Sequence, residues 1–468
     1  MKIIIYRFLA VLLICIPFNL TAQTDKSLPF KAGASKIDIT PAEKDIPAAR
    51  FKYGIRDNLY IRAVVVDNGV ASAALVSVDV STVPDNLYMK YIQLIEKETG
   101  IPAMNIIISP SHSHSSVRLP ANDAKPDDPK VALFAANFEK SIVEAVRKAK
   151  GNLQPARIGY KAGTSYLNVN RDVIDPFTRL WSQAPNYDGP SDKTVAVVSF
   201  ETLEGEPIAV YYNYAMHSNS MYMSGVISSD FSGETSKYIE EYYDNKIIAL
   251  WSMSASGDQN PRYLQPMQDV ERLKSEAALA SGRAKDTGEA NRVAGAGGMD
   301  DFDVDPKILE RQSQMITSLG QMLGEEILRV MKYMQRFNSE IRIFSSQTTV
   351  TCPGRTRTNA GREGLPGTYV DGDPVKIRLS LLMLGDIAFA VLSADAYNLI
   401  AQRLKEESPY NFTIMVAHSN GGSNSGYIPT DDAFDRYTFQ VLNSSLKPGC
   451  AERSIIDGFL DMMDKAGR

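Results

Sequence analysis

Short apolar runs alternate with helix-period stretches along this chain. That alternation predicts an α/β fold with a mixed β-sheet core and surrounding helices. Tyr60–Asp67 (YIRAVVVD) and Ala73–Val80 (AALVSVDV) read as strands, Asn105–Ser109 (NIIIS) as a short buried strand and Ile247–Trp251 as another. Thr194–Phe200 and Pro207–Tyr214 flank Glu204-Gly205-Glu206, and Ile377–Leu384 and Ile387–Leu392 flank Gly385-Asp386, so each pair reads as a hairpin. A helix is predicted over Asn86–Thr99. A second covers Pro129–Lys150, where Val131, Phe134, Phe138, Ile142 and Val146 share a face. A third covers Gln312–Met334, on Met315, Leu319, Leu323 and Ile327. Asp395–Glu406 reads as a helix and Phe412–Val416 as a strand. Asp269–Asp305 is polar and rich in small residues, and reads as a surface insertion or partly mobile helix-loop.

Composition narrows the class. The 468 residues are 44% hydrophobic and 22% charged, with 31 Gly and 24 Pro, which excludes disordered, collagen-like and coiled-coil chains. A net charge of −5 argues against nucleic acid as a partner. Residues 1–22 read as a signal peptide: Lys2 and Arg7 open it, Phe8–Ile16 is apolar, Pro17 breaks the run and Thr21-Ala22 precede Gln23. That run is shorter than the roughly 20 residues a membrane-spanning helix needs. The mature chain is therefore expected to be periplasmic or secreted, with no transmembrane segment. It reads as one elaborated domain over 23–468. Cys352 and Cys450 remain after cleavage. Export permits a disulfide between them, and two unpaired thiols fit the sequence equally well.

Histidine is scarce, and the chemistry gathers around it. All four histidines follow predicted strands. His112 and His114 stand in Ser109–Ser116 (SPSHSHSS), and two residues of separation in extended backbone would point both rings the same way. Two such imidazoles can share a metal, or one can bind metal while the other handles a proton. His217 follows PIAVYYNYA, and Ser254–Pro261 (SASGDQNP) brings Asp258 and Asn260 to another strand end. Asp395 opens a predicted helix, where N-capping is its ordinary role. His418 begins a Gly/Ser/Asn-rich loop that runs to Tyr427, and its role stays open.

Seven short motifs, in one order, resemble the neutral/alkaline non-lysosomal ceramidase family. Ala32–Pro41 (AGASKIDITP) is similar to A-G-x-x-x-x-D-I-T-P, and Ser111–Ser115 (SHSHS) to T-H-T-H-S-G-P. Asn168–Arg171 (NVNR) resembles N-x-N-R, and His217 with Ile227–Gly233 resembles a histidine followed by a serine/aspartate/glycine turn. Gly257–Pro261 (GDQNP) resembles G-D-V-S-P, Leu392–Leu404 resembles L-P-G-E-F-T-T-M-A-G-R-R-L, and Gly426–Phe434 resembles G-Y-V-T-T-P-E-E-Y. The resemblance implies hydrolysis of the N-acyl amide of ceramide on one zinc, with zinc-activated water as nucleophile. It makes His112, His217, Asp395 and Tyr427 the metal ligands. It gives His114 and Arg171 the reacting amide, and puts Asp258 and Asn260 in the catalytic loop.

Three departures stand out. Asp395 replaces a glutamate and is shorter by about 1.5 Å of reach. Asn260 takes the place of a serine and cannot act as a nucleophile; it or the nearby backbone could help hold an oxyanion. The family's C-terminal β-sandwich domain has no counterpart before Arg468.

Overall fold

The computed structural model of the chain describes residues 28–47, 50–121, 128–359 and 363–467, so the signal peptide read at 1–22 lies outside the described residues. The strands that place the site belong to two sheets. The larger has nine strands among the described residues. It runs edge to edge as 248–253, 207–214, 194–202, 154–164, 31–38, 60–67, 72–78 and 106–110, with Phe337–Asn338 added on 154–164. The smaller is ordered Ile343–Arg357, Tyr369–Leu384, Ile387–Leu392, Phe412–Val416.

Two-residue periodicity explains how they stack. In strand Tyr60–Asp67, Ala63 and Val65 face a core shared with Phe138 and Ile142 of helix Pro129–Gly151. Val64 and Val66 face the opposite way, into a core shared with Leu382, Leu384 and Phe389 of the smaller sheet. In that sheet Leu381 and Met383 point outward onto Ile400 and Leu404 of helix Asn398–Glu407 and Ile455 and Phe459 of helix Ala451–Gly467. The result is helix, sheet, sheet, helix. Strands covered on both sides must be apolar at every position, which is why YIRAVVVD shows so little alternation.

Two elements differ from those expected of the sequence. Asp395 does not open a helix: Asp395–Ala396 is a short strand paired in parallel with Tyr427–Ile428, and the helix begins at Asn398. Helix Asp230–Tyr242 was not foreseen, because its N-terminal half is made of small polar residues. Gly320 of helix Pro306–Lys332 permits its close approach, since a Cβ there would come 2.5 Å from that of Glu234. The 269–305 stretch is largely helical, as Gln265–Ala280 and Thr287–Gly295, with a small core of its own around Ala278, Ala290 and Met299. Cys352 and Cys450 are joined in a disulfide, which ties strand Ile343–Arg357 to the start of the last helix. No helix among the described residues is long and apolar enough to cross a membrane.

One buried charge network braces the larger sheet. Arg62 lies 3.0 Å from both Asp79 and Glu240, and Lys36 lies 2.6 Å from Glu240. Burial alone would raise the Glu240 carboxyl, but Arg62 and Lys36 more than reverse this and hold it below its usual 4.5. A depressed folded pKa gives stability that is present above the unfolded value and lost as pH falls through the folded one. We therefore expect Glu240→Gln to cost roughly 3 kcal/mol near neutral pH, as for breaking a buried ion pair. Urea unfolding between pH 5 and pH 3 should show a smaller loss of stability in the variant than in the parent. Parallel loss in both would refute this account of Glu240.

Candidate metal centre

Three parallel strand pairs aim their C-terminal ends at one place: 72–78 with 106–110, 207–214 with 248–253, and 387–392 with 412–416. The loops after five of those strands carry His112 and His114, His217, Asp258, Asp395, and His418. Backbone hydrogen bonds stitch the loops together across the sheets. Ala417 N donates to the Met253 carbonyl at 2.9 Å, His418 N to Ala394 at 2.8 Å, His114 N to Ser218 at 3.0 Å and Gly257 N to Ala396 at 2.8 Å.

The local backbone is unusual. His112 and His418 have φ of 60° and 52°, in the left-handed region, at a cost of order 1–3 kcal/mol for each residue so held. The extended H-x-H geometry expected from the sequence is therefore replaced by a turn at His112. The two rings still converge, with their Nε2 atoms 3.3 Å apart.

Two backbone carbonyls fix the tautomers. His112 Nδ1 donates to the Ser81 carbonyl at 2.8 Å, and His217 Nδ1 donates to the Gln259 carbonyl at 3.1 Å. A carbonyl only accepts, so each Nδ1 carries the proton and each Nε2 of a neutral ring presents a lone pair. Ser81 and Gln259 act through their main chain, so residue type could not have announced them. His114 Nδ1 has no such anchor among the described residues. Burial, followed by neighbouring histidines, keeps His112 and His114 well below 6.5 and so neutral.

Asp395 faces the His217 lone pair: its Oδ2 lies 3.3 Å from His217 Nε2. Both Asp395 oxygens, His217 Nε2 and His418 Nε2 are buried without a hydrogen-bond partner. Buried unpaired acceptors facing one another are costly unless a cation lies between them. Two donors of a tetrahedral zinc stand about 3.3–3.4 Å apart, given bonds of about 2.0–2.1 Å. The His217–Asp395 separation matches; the His112–His114 separation matches too, and belongs to the alternative set of three histidines. His112, His114 and His217 could hold a metal ion, their ligating nitrogens lying within 4.8 Å of one another.

The other expected residues divide. Tyr427 is brought beside Asp395 by the parallel pairing, with the Arg171 guanidinium 5.5 Å from its ring centre. Arg171 is held in turn by the Gly257 carbonyl, 3.0 Å from its Nε, and by Asn260 Oδ1, 3.4 Å from Nη1. Asn260 Oδ1 also accepts from Asn219 Nδ2 at 3.2 Å. Asp258 is turned away to clamp Asn398, accepting from its backbone N at 2.9 Å and its Nδ2 at 2.6 Å.

Known proteins resemble this chain in sequence and in fold. Residues 30–372 match the model of the neutral/alkaline non-lysosomal ceramidase N-terminal region. Neutral ceramidase B of Dictyostelium discoideum is 25% identical over 270 residues, covering 53% of this chain and 37% of that protein. The neutral ceramidase of Drosophila melanogaster is 25% identical over 323 residues, covering 64% and 44%. The chain thus spans less than half the length of these curated relatives. The crystal structure of neutral ceramidase from Pseudomonas aeruginosa superposes with a TM-score of 0.68 at 14% identity, over 93% of this chain and 74% of that one. The chain belongs to the neutral/alkaline non-lysosomal ceramidase family.

The donor set predicts metal content. After loading with excess zinc and desalting, elemental analysis is expected to give about one metal per chain, as for a single tetrahedral site. His112→Ala and His217→Ala should lose it, and Asp395→Asn should weaken it by an order of magnitude or more. His114→Gln should retain it. Loss in His114→Gln would instead make the three histidines the ligand set.

Proposed function

We propose that this chain is an exported zinc-dependent hydrolase of an N-acyl amide bond, with ceramide-like N-acyl lipids as the family's default substrate class. The observation that carries this reading is the buried, partnerless Asp395 carboxylate 3.3 Å from a carbonyl-anchored histidine. His112, His217, Asp395 and Tyr427 would hold the ion. When bound, zinc supplies a Lewis acid for the amide carbonyl and lowers the pKa of a water.

The remaining chemistry falls to the chain's own residues. His114 is neutral and has no fixed Nδ1 partner among the described residues, so it can take a proton at one nitrogen and release one from the other. It suits the proton that must reach the leaving amine. Asn260 has its Oδ1 engaged by Arg171 and Asn219, which orients Nδ2 as a free donor for a developing oxyanion. Arg171, anchored on the Gly257 carbonyl, adds fixed positive charge beside the same region. No serine at position 260 means no acyl-enzyme there, which supports direct attack by water. The Cys352–Cys450 disulfide supports an oxidising compartment.

A hydrolysis screen with ceramides, N-acyl amino acids and simple esters, with and without chelator, tests the reading. Chelator-sensitive release of fatty acid from an amide is expected. His114→Gln should lower kcat by about 10²–10⁴-fold at near-constant metal content, and Asn260→Ala by about 10²–10³-fold. The metal-loaded protein leaving every amide intact would end the proposal.

A further inference from the structure

The pocket beside His114 contains more positive charge than a neutral lipid amide requires. His114 forms part of its wall, together with Arg50, Arg118, Tyr222, Asp300 and the backbone of 294–297 from the helical insertion. Tyr222 packs edge-on against the His114 ring at 5.1 Å and donates its hydroxyl to the Gly295 carbonyl at 2.6 Å, closing the far side. Arg50 is fixed close to the reacting region, because its Nη2 donates to the main-chain carbonyl of His114 at 3.2 Å. Arg118 lies four residues after His114 in the same loop, and its side chain is exposed.

Among the described residues neither guanidinium has a carboxylate partner within ion-pair distance. Asp300, the acidic group on the wall, lies 3.9 Å from Lys274, which offsets its charge. Burial, then the neighbouring Arg118, brings Arg50 down to about 10, with Asp300 and Tyr222 opposing this only in part. Uncompensated arginines in a partly enclosed pocket are a recognition device for carboxylate or phosphate.

We infer that the substrate carries an acidic group, a carboxylate or a phosphate, a few bonds from the scissile amide, and that Arg118 and Arg50 receive it. This rests on the amide-hydrolase reading and narrows its substrate class from neutral ceramide toward N-acyl amino acids or N-acyl phosphoamines. Arg118 is the specificity residue of the pair, since Arg50 also supports the His114 main chain.

Three amides on one skeleton test it: N-lauroylglycine, N-lauroylphosphoethanolamine and the neutral N-lauroylethanolamine. The kcat/KM for at least one acidic amide should exceed the neutral one by on the order of 10- to 100-fold, the worth of one or two charge-assisted hydrogen bonds. Arg118→Met should collapse that ratio toward one, chiefly through KM. Preference for the glycine conjugate assigns a carboxylate, and preference for the phosphoamine a phosphate. A ratio near one in the parent, or a large ratio kept in Arg118→Met, overturns the inference. If no amide is hydrolysed, the proposed activity falls by itself. The anion site is then read by titration calorimetry of the same three compounds, where equal affinities would overturn it.

Discussion

Helix Asn398–Glu407 starts without a capping side chain of its own, and the site depends on which residue supplies the cap. The residue at its N-cap position, Tyr397, makes no side-chain cap bond. Asp258, from a loop 140 residues earlier in the chain, accepts from Asn398 N instead. Capping from a distant loop does two things. It satisfies a backbone donor that a buried helix end would otherwise leave orphaned, and it leaves Asp395 unencumbered. Parallel pairing with Tyr427–Ile428 then holds Asp395 extended, so that its carboxylate faces His217 rather than the helix it precedes. The shorter reach of aspartate relative to glutamate is met by main-chain placement.

This arrangement couples the site to the whole fold. The groups around the candidate centre come from residues 112 to 427, and the loops that carry them are joined by main-chain hydrogen bonds from one sheet to the other. Asn420 N donates to the Ile108 carbonyl at 2.9 Å, and its Oδ1 accepts from Ile108 N at 2.9 Å, so the last loop is tied to the strand that launches the first. The left-handed backbone at His112 and His418 is a local cost that these bonds and the shared core between the sheets offset.

Much of this could be read from the chain, and the reasons differ by element. Buried strands such as 60–67 and 387–392 are apolar runs bounded by turn residues, and the long helix over 306–332 has an unbroken apolar face. Helix 230–242 was hidden because its first half is small and polar, and the close contacts with Gly320 and Gly324 are made by Glu234 and Tyr238 rather than by a Leu/Ile stripe. The histidines were visible as strand-end residues, but the groups that orient them were not. Ser81 and Gln259 contribute carbonyls, which carry no side-chain signature. Asp258 and Asp395 look alike in sequence, each an aspartate after a strand. Only the tertiary pairing separates the one that caps a helix from the one left facing a histidine.

The same reasoning separates two environments around His112 and His114. On one side His217 and Asp395 are almost fully buried, at 1% and 6% exposure, with the His217 tautomer fixed by a main-chain carbonyl. On the other, His114 opens onto a pocket rimmed by the exposed Arg118 and by a wall borrowed from the helical insertion. A dry, rigid side suits groups that must keep one protonation state while holding a cation. An open side suits a group that must exchange protons and admit substrate. His114 belongs to both, since its Nε2 is 3.3 Å from His112 Nε2 while its own main-chain carbonyl anchors Arg50. One histidine thus physically connects the candidate metal centre to the surface that would select what reaches it.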